Sequence, residues 1–251
     1  MNSTNMNISI ITATHNSSAQ IVGCLASVYT QSYQNIEHLI IDGASADNTL
    51  DIINSTPNRV TKIVSEPDTG IYDALNKGIS LATGDVIGLL HSDDFFSSPQ
   101  VLSNIAEQFQ QKNIDGLYGN LEYVNKSNTG KVIRFWKSRD FDYSLLKFGW
   151  MPAHPTLFLK KSVYEKHGLF DLQFKIAADY DFMLRVLKDK TLSIKYLPEV
   201  ITKMRVGGES NKSIKNIIRK SKEDYRAIRK NQIGGFHTLL LKNLQKINQF
   251  F

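Results

Sequence analysis

In the first third of the chain, short β-branched runs alternate with segments in which apolar residues recur every three or four positions. The runs predict strands at residues 7–14, 36–41, 60–65 and 85–90. The periodic segments predict helices at residues 21–29, 47–53 and 71–82. This β-α order predicts a parallel sheet with right-handed crossovers, in which ligands bind outside the carboxyl ends of the strands.

The second half of the chain mixes the two patterns. It predicts strands at residues 116–124, 131–136, 156–159, 192–197 and 201–205. It predicts helices at residues 101–110, 141–148, 162–167 and 182–187. A loop at Gly207-Gly208 then leads into a basic helical segment. We expect one α/β domain over residues 1–210 and a helical C-terminal extension over residues 211–251.

Polar clusters stand where predicted strands end or where a loop precedes a helix. They are Thr14-His15-Asn16, Asp42-Gly43-Ala44-Ser45, Asp93-Asp94 and Asp179. Neither a G-x-G-x-x-G turn nor a P-loop follows the first strand, so the phosphates of a bound nucleotide would need a metal. The Asp93-Asp94 pair offers the hard oxygen ligands that Mg²⁺ and Mn²⁺ prefer. The alternative is that the pair only caps the helix after Ser97-Ser98-Pro99.

The composition is that of an ordinary globular protein, with 41% hydrophobic residues. The one cysteine, Cys24, has no partner for an internal disulfide, which favours a reducing compartment. The N-terminal residues lack the basic and apolar parts of a secretory signal, and no apolar run approaches the roughly 20 residues that span a bilayer. We therefore expect a cytoplasmic protein.

The net charge of +6 is concentrated near the C-terminus. Between Lys212 and Lys246 the chain has ten lysines and arginines, against only Glu223 and Asp224 as acids. A solvated helix face, an anionic membrane surface and nucleic acid each explain such a segment. Its last part has amphipathic spacing, which fits packing on the domain, pairing of two chains, or contact with the inner membrane leaflet.

Residues 7–210 also carry a series of short motifs in a fixed order. The motifs are Ile10-Ile-Thr-Ala-Thr-His-Asn16, Ile41-Asp-Gly-Ala-Ser-Ala-Asp-Asn-Thr49, the segment 66–79, Gly84-Asp85 with Ser92-Asp93-Asp94, His154-Pro155-Thr156, and Ala178-Asp179-Tyr180-Asp181. In combination they resemble the family 2 glycosyltransferases, which are inverting nucleotide-sugar enzymes. The segment 66–79 is similar to a subgroup that acts in capsule, colanic-acid-like and O-antigen assembly.

The resemblance implies a GT-A fold, in which a Rossmann-like, mostly parallel sheet is flanked by helices. It implies an enzyme that moves a sugar from a nucleoside diphosphate to a glycan or lipid-linked acceptor with inversion, assisted by Mn²⁺ or Mg²⁺. The subgroup implies a role in the synthesis of a bacterial-type surface polysaccharide. Since a lipid-linked acceptor lies in the membrane, contact of the tail with the inner face of the cell membrane has a functional reason, beside packing on the domain and dimerisation, and nucleic acid is not an expected partner.

Carried over residue by residue, the resemblance makes Asp179 the general base and Asp94 the metal ligand. The other matching residues would bind the donor: Ala13, Thr14, Asn16, Asp42 and Asp68 around the nucleoside, and Asp93 against the ribose and sugar. Many members have two acids where this chain has Asp42-Gly43, and Glu-Asp where it has Ala178-Asp179. Asp42 and Asp179 also fit as helix caps.

The chemistry of glycosyl transfer agrees with these roles. A metal stabilises the charge of the leaving diphosphate, and a carboxylate deprotonates the attacking hydroxyl. Apolar surroundings are expected to raise the pKa of Asp179 towards the working pH, with Tyr180, Phe182 and Met183 as candidate neighbours or as ordinary core. One base without a covalent nucleophile means a single displacement with inversion.

Three further features have two interpretations each. His154 is either a structural histidine or a polar contact to the diphosphate or acceptor. Tyr72 and Trp150 either stack on sugar rings or belong to the core. The Gly207-Gly208 loop is a candidate lid over the donor as well as an ordinary loop.

Two other classes of function remain open. A nucleotidyltransferase on a similar sheet would require a glycine- and lysine-rich phosphate loop where this chain has His15-Asn16-Ser17-Ser18. A nucleic-acid-binding protein would depend on the basic tail, and its salt-dependent affinity for a duplex would disappear when the residues from Lys212 onwards are deleted.

Overall fold

A computed structural model describes residues 6–206 and 214–245. The strands are β1 (Ile8–Thr14), β2 (Ile36–Asp42), β3 (Val60–Ser65), β4 (Val86–Leu89), β5 (Phe95–Phe96), β6 (Gly116–Val124), β7 (Val132–Trp136), β8 (Phe158–Lys160) and β9 (Ile194–Arg205). The α-helices are α1 (Ile21–Tyr29), α2 (Thr49–Ser55), α3 (Ile71–Leu81), α4 (Val101–Gln111), α5 (Lys161–His167), α6 (Ala178–Leu187), α7 (Ile214–Lys230) and α8 (Phe236–Gln245). Short 3₁₀ helices cover Tyr143–Phe148 and His154–Thr156. The predicted lid at Gly207-Gly208 lies outside the described residues.

The first four long strands form the predicted parallel sheet, in the order β3-β2-β1-β4. Successive residues of β1 face opposite sides, as the two-residue period of a strand requires. Ile8 and Ile10 pack with α1 and α4, whereas Ile11 and Ala13 pack with α3 and α6. The sheet is therefore covered by helices on both faces, which confirms the predicted α/β architecture.

The second half of the sheet is mixed. β8 joins β4 to β6 through two antiparallel pairings, and β6 then pairs in parallel with β9. The two strands predicted at 192–197 and 201–205 are wrong as separate elements, because β9 is continuous. Between Tyr196 and Val200 the register against β6 shifts, so a bulge accommodates Pro198, which cannot donate to a ladder.

Helix α6 also differs from its prediction, since it begins at Ala178 and not at Phe182. Asp179 and Asp181 lie in its first turn, where carboxylates are favourable beside the positive end of the helix dipole. Asp179 therefore belongs to a helix and not to the loop before it.

The described part of the basic tail forms two helices that pack on the domain. Helix α7 contacts α6, and α8 contacts both α7 and the 3₁₀ helix at Tyr143–Phe148. The approach is close, because a Cβ on Gly149 would fall 2.6 Å from the carbonyl oxygen of Thr238. Among the described helices, none has the length and apolarity that crossing a membrane requires.

Candidate active site

The carboxyl ends of β1, β2 and β4 meet at one edge of the sheet. Thr14 at the end of β1 is in register with Asp42 at the end of β2, and Ile11 is in register with Leu89 of β4. The loops that follow these strands are therefore neighbours. The hydroxyls of Ser17 and Ser92 join two of them by a 2.9 Å hydrogen bond.

The predicted nucleoside-binding residues shape the loops of this crevice. Asp42 is fully buried, and its carboxylate accepts hydrogen bonds from the Ser45 amide at 2.9 Å and the Ser65 hydroxyl at 2.7 Å. The side-chain oxygen of Asn16 accepts from the Ala46 amide at 2.9 Å, and Asn16 adopts a positive φ of 48°. Both side chains therefore support the turn between β2 and α2, and neither caps α2, whose N-cap is Asn48.

Asp68 lies in the loop between β3 and α3, against the end of β2. Its Oδ1 accepts from the Gly70 amide at 2.9 Å. Its Oδ2 comes within 2.5 Å of the position that a Cβ on Gly43 would occupy. Glycine at position 43 thus permits the approach of Asp68, which a side chain at this position would displace. Ala13 and Thr14 are buried beside this loop pair.

Asp94 is a buried carboxylate without a counter-charge in direct contact. It is 0% exposed, and neither of its side-chain oxygens has a hydrogen-bond partner in the described part of the chain. Burial, reinforced by the negative charge of Asp93, raises its pKa well above the ordinary value, although Arg205 opposes the shift. The helix-cap interpretation of this pair is wrong, because α4 begins only at Val101 and Gln100 is its N-cap.

The surroundings of Asp94 fit a bound divalent cation. The hydroxyl of Thr14, the last residue of β1, and Nδ1 of His91, in the loop after β4, are also buried without a partner among the described residues. Buried polar atoms left unpaired in this way require a ligand, an ion or water. Within the described ranges no three acidic, histidine or cysteine side chains cluster as a complete metal cage. A single buried carboxylate is compatible with Mg²⁺ or Mn²⁺, because these ions keep water and substrate phosphates as ligands.

Asp93 points to a different environment from Asp94. Its side chain is half-buried, and its backbone carbonyl accepts a hydrogen bond from the Arg205 guanidinium. The same guanidinium lies 4.9 Å from the ring centre of Phe95. Arg205, at the end of β9, thus fixes the acidic loop. It was not a predicted site residue, because nothing in its local sequence links it to a loop more than a hundred positions away.

Asp179 forms a hydrogen-bonded pair with His154. Nδ1 of His154 lies 3.1 Å from Oδ2 of Asp179, and the Tyr72 hydroxyl donates to Oδ1 at 2.9 Å. The Tyr72 hydroxyl also lies 2.8 Å from the carbonyl of Ile176. Asp179 is not the cap of α6, because its carboxylate bonds to side chains and not to backbone amides of its helix. His154 is therefore a partner of the predicted base, and Tyr72 a hydrogen-bond donor to it.

The expected rise in the pKa of Asp179 is wrong in direction. Burial does raise it, but His154, the Tyr72 hydroxyl and the more distant Lys242 and Lys220 outweigh burial and hold the pKa below its ordinary value. Burial lowers the pKa of His154 to about 4, so near neutral pH the imidazole is neutral and donates a hydrogen bond through its Nδ1–H to the carboxylate. Asp179 is thus ionised at neutral pH and ready to accept a proton.

The aromatic candidates separate into site and core. Tyr180, Phe182 and Met183 are buried, as is Trp150, which stacks on Phe141 with ring centres 6.0 Å apart. Trp150 therefore belongs to the core.

A basic cavity of about 610 Å³ lies elsewhere, between the C-terminal ends of α5, α6 and α7.

Comparison with solved structures identifies the class of fold. Residues 1–349 of TarS from S. aureus, solved with UDP-GlcNAc, align with 90% of this chain at a TM-score of 0.71 and 20% identity. The mannosyltransferase PcManGT from Pyrobaculum calidifontis, solved with GDP-Man and Mn²⁺, aligns with 95% at 0.66 and 17% identity. This chain spans 65% of that TarS chain and 69% of PcManGT. The predicted GT-A fold is confirmed.

Sequence comparison then identifies the family. Residues 9–168 match the model of glycosyl transferase family 2. A PGL/p-HBAD biosynthesis glycosyltransferase of Mycobacterium bovis is 31% identical over 208 residues, which are 81% of this chain and 78% of that protein. The chain therefore belongs to glycosyltransferase family 2, and the enzyme class predicted from its motifs is confirmed.

Proposed function

We propose that the protein transfers a sugar from a nucleoside-diphosphate donor to a glycan or lipid-linked acceptor, with inversion and with the help of a divalent metal. The observation that carries the proposal is the proximity of the acidic loop to the His154–Asp179 pair. His91 of that loop lies edge-on to His154, with ring centres 6.2 Å apart. A buried carboxylate without hydrogen-bond partners and a carboxylate that accepts a proton therefore belong to one crevice.

Asp179 is the residue we propose as general base. Each carboxylate oxygen has two lone pairs, so the bonds from Tyr72 and His154 leave acceptor capacity for the attacking hydroxyl. The two donors also fix the orientation of the carboxylate, which lowers the entropic cost of reaching the reactive geometry. Because no covalent nucleophile is needed, a single displacement inverts the anomeric centre.

Asp94 is the residue we propose as metal ligand, with Asp93 beside the donor sugar or ribose. Bound Mn²⁺ or Mg²⁺ would supply Lewis-acid stabilisation of the leaving diphosphate. The unpaired oxygens of Asp94 support this role. Mn²⁺ in the PcManGT structure supports it as well.

The donor is proposed to be a nucleoside-diphosphate sugar. UDP-GlcNAc and GDP-Man in solved relatives support this class. The predicted nucleoside contacts at Ala13, Thr14, Asn16, Asp42 and Asp68 stay predictions, and all five residues lie at the same edge of the sheet. The mycobacterial relative named for PGL/p-HBAD biosynthesis supports glycoconjugate synthesis, and a bacterial-type surface polysaccharide is the product class we propose.

The outer surface of the tail supports a peripheral position at the inner face of the cell membrane. Phe236, Leu240 and Leu244 follow one another at i, i+4 and i+8 on α8, and each is about half exposed or more. Helix α7 also carries exposed cations, which would be attracted to an anionic membrane surface. We expect co-sedimentation with phosphatidylglycerol vesicles that Phe236→Ser and Leu240→Ser together abolish. Equal recovery of this variant and the parent would reject membrane contact through α8.

A thermal-shift panel tests the proposed function as a whole. UDP-, GDP- and dTDP-sugars are each added with and without Mn²⁺. We expect at least one donor to raise the melting temperature only when Mn²⁺ is present, because the ligand that stabilises the folded state needs the metal. No metal-dependent shift with any donor would contradict the mechanism.

A further inference from the structure

Every segment of chain that flanks Asp179 is tied to the helical hairpin formed by α7 and α8. The residues just before α6, the residue after Asp179 and the next one each contact a different side chain of this hairpin. Asp179 itself is held from the other side by Tyr72 and His154. The base therefore lies between two sets of contacts, only one of which belongs to the family 2 region at residues 9–168.

Glu223 of α7 holds the start of α6. Its Oε2 accepts hydrogen bonds from the amides of Ile176 at 2.7 Å and Ala177 at 3.0 Å. Ala177 is the N-cap of α6, and the first amides of a helix have no partner within it. A carboxylate at this end also complements the helix dipole. Glu223 thus anchors the N-cap residue of α6 and the residue before it, two and three positions before Asp179.

The residues after Asp179 are held by two further contacts. Asn231 donates to the fully buried carboxylate of Asp181 at 2.9 Å, and the Lys230 ammonium lies 3.3 Å from the same carboxylate. On the other side, the ammonium of Lys242 lies 3.3 Å from the ring centre of Tyr180. Lys242 is anchored in turn by Asp224 of α7 at 2.6 Å.

We propose that the α7–α8 hairpin is a positioning device for the general base, and that Glu223 is the positioning residue through which it acts. The inference rests on the proposed role of Asp179. It assigns to the hairpin a task in the chemical step that is independent of any membrane contact. A carboxylate displaced by about 1 Å from the acceptor hydroxyl costs a reaction of this kind on the order of 100-fold.

The test compares Glu223→Met, which removes both acceptor oxygens, with Glu223→Gln, which keeps one. Turnover is followed as release of nucleoside diphosphate from the donor selected by the thermal-shift panel, with water as the acceptor. We expect Glu223→Met to lower kcat at least tenfold while the donor KM stays within twofold, and Glu223→Gln to recover most of the loss. Lys222→Ala, on the exposed face of the same helix, is the matched control and should behave as the parent.

The Asp179→Asn background distinguishes a positioning role of Glu223 from a general contribution to the stability of the fold. In Asp179→Asn, whose base is absent, Glu223→Met should cause no further loss of turnover, because residues that act as a unit are not additive. Retention of kcat within twofold, an equal loss in both backgrounds, or a parallel loss of donor binding would each overturn the proposal. If Glu223→Met fails to fold, Lys230→Met takes its place, because the side chain of Lys230 is 40% exposed. A loss of kcat of at least threefold in the parent, with no further loss in Asp179→Asn, would then support the proposal. A smaller loss, or an equal loss in both backgrounds, would overturn it.

The experiments distinguish a wrong positioning role for the α7–α8 hairpin from a wrong proposed function. If the parent protein shows neither metal-dependent donor binding nor turnover, the function itself is contradicted, and the positioning role falls with it. If the parent is active and Asp179→Asn is not, only the Glu223 variants decide whether the hairpin positions the base.

Discussion

Asp94 and Asp179 are both carboxylates withdrawn from solvent, yet their neighbours move their pKa values in opposite directions. Burial and Asp93 raise the pKa of Asp94, whereas His154 and Tyr72 hold that of Asp179 below its ordinary value. Titratable groups driven apart in this way are typical of active sites. The residue without partners suits a cation, and the residue with two hydrogen-bond donors suits an oriented base.

A substitution of Gly43 tests whether Asp68 lines the nucleoside pocket. A Cβ at this position would lie 2.5 Å from Oδ2 of Asp68, so Gly43→Ala must displace the Asp68 side chain. If Asp68 lines the nucleoside pocket, donor affinity measured by calorimetry should fall about tenfold. Gly235→Ala is the matched control, because nothing lies within 4 Å of its added Cβ. Unchanged donor affinity in Gly43→Ala would remove Asp68 from the pocket.

Local sequence patterns predicted the parts of the site that lie at the ends of strands, but not the contacts between separate elements. Thr14 and Asp42 end predicted strands and Asp94 follows another, so local runs of apolar residues predicted all three positions together. The His154–Asp179 pair was not, because 25 positions and a change of element separate the two side chains. Tyr72 joins them from α3, 107 positions before Asp179. Such contacts depend on the packing of helices, for which one sequence carries no periodic signal.

The ion pair between α7 and α8 is expected to stabilise the folded protein. Lys242 and Asp224 form an ion pair whose side chains are 5% and 2% exposed. Removing one partner leaves a buried charge uncompensated, so Lys242→Met should lower the free energy of unfolding by about 3 kcal/mol in urea titrations. The double variant with Asp224→Leu should recover most of that loss. A single variant as stable as the parent would show that the pair is not buried in solution.

The whole molecule is predicted to lose stability in mild acid through His38. This residue of β2 is 0% exposed, and burial lowers its pKa from 6.5 to about 4. Between these values the unfolded chain binds a proton that the folded chain does not, so unfolding is favoured as the pH falls. The contribution is about 2 kcal/mol between pH 7 and pH 5. Urea titrations of His38→Gln should show a correspondingly shallower loss, and an identical pH dependence would contradict the assignment.

Most elements and the parallel half of the sheet were predictable, whereas the short strand β5, the continuity of β9 and the mixed half of the sheet were not. Parallel pairing of β1 to β4 follows from the β-α rhythm, whereas β8 enters between β4 and β6 in the antiparallel sense. Its three residues carry no signal for direction. The C-terminal extension packs on α6, which is one of the three arrangements that its amphipathic spacing allows, and Glu223 and Asp224 of α7 are buried there.

One paired measurement tests whether Asp94 binds the metal and Asp179 acts as the base. Donor binding with and without Mn²⁺ is determined by calorimetry for Asp94→Asn and Asp179→Asn, alongside donor turnover. Asp94→Asn should abolish the metal-dependent part of donor binding. Asp179→Asn should bind the donor as the parent does and lose at least 100-fold in turnover, within the range of general-base catalysis. Metal-dependent binding that survives in Asp94→Asn, or near-normal turnover in Asp179→Asn, would contradict the account.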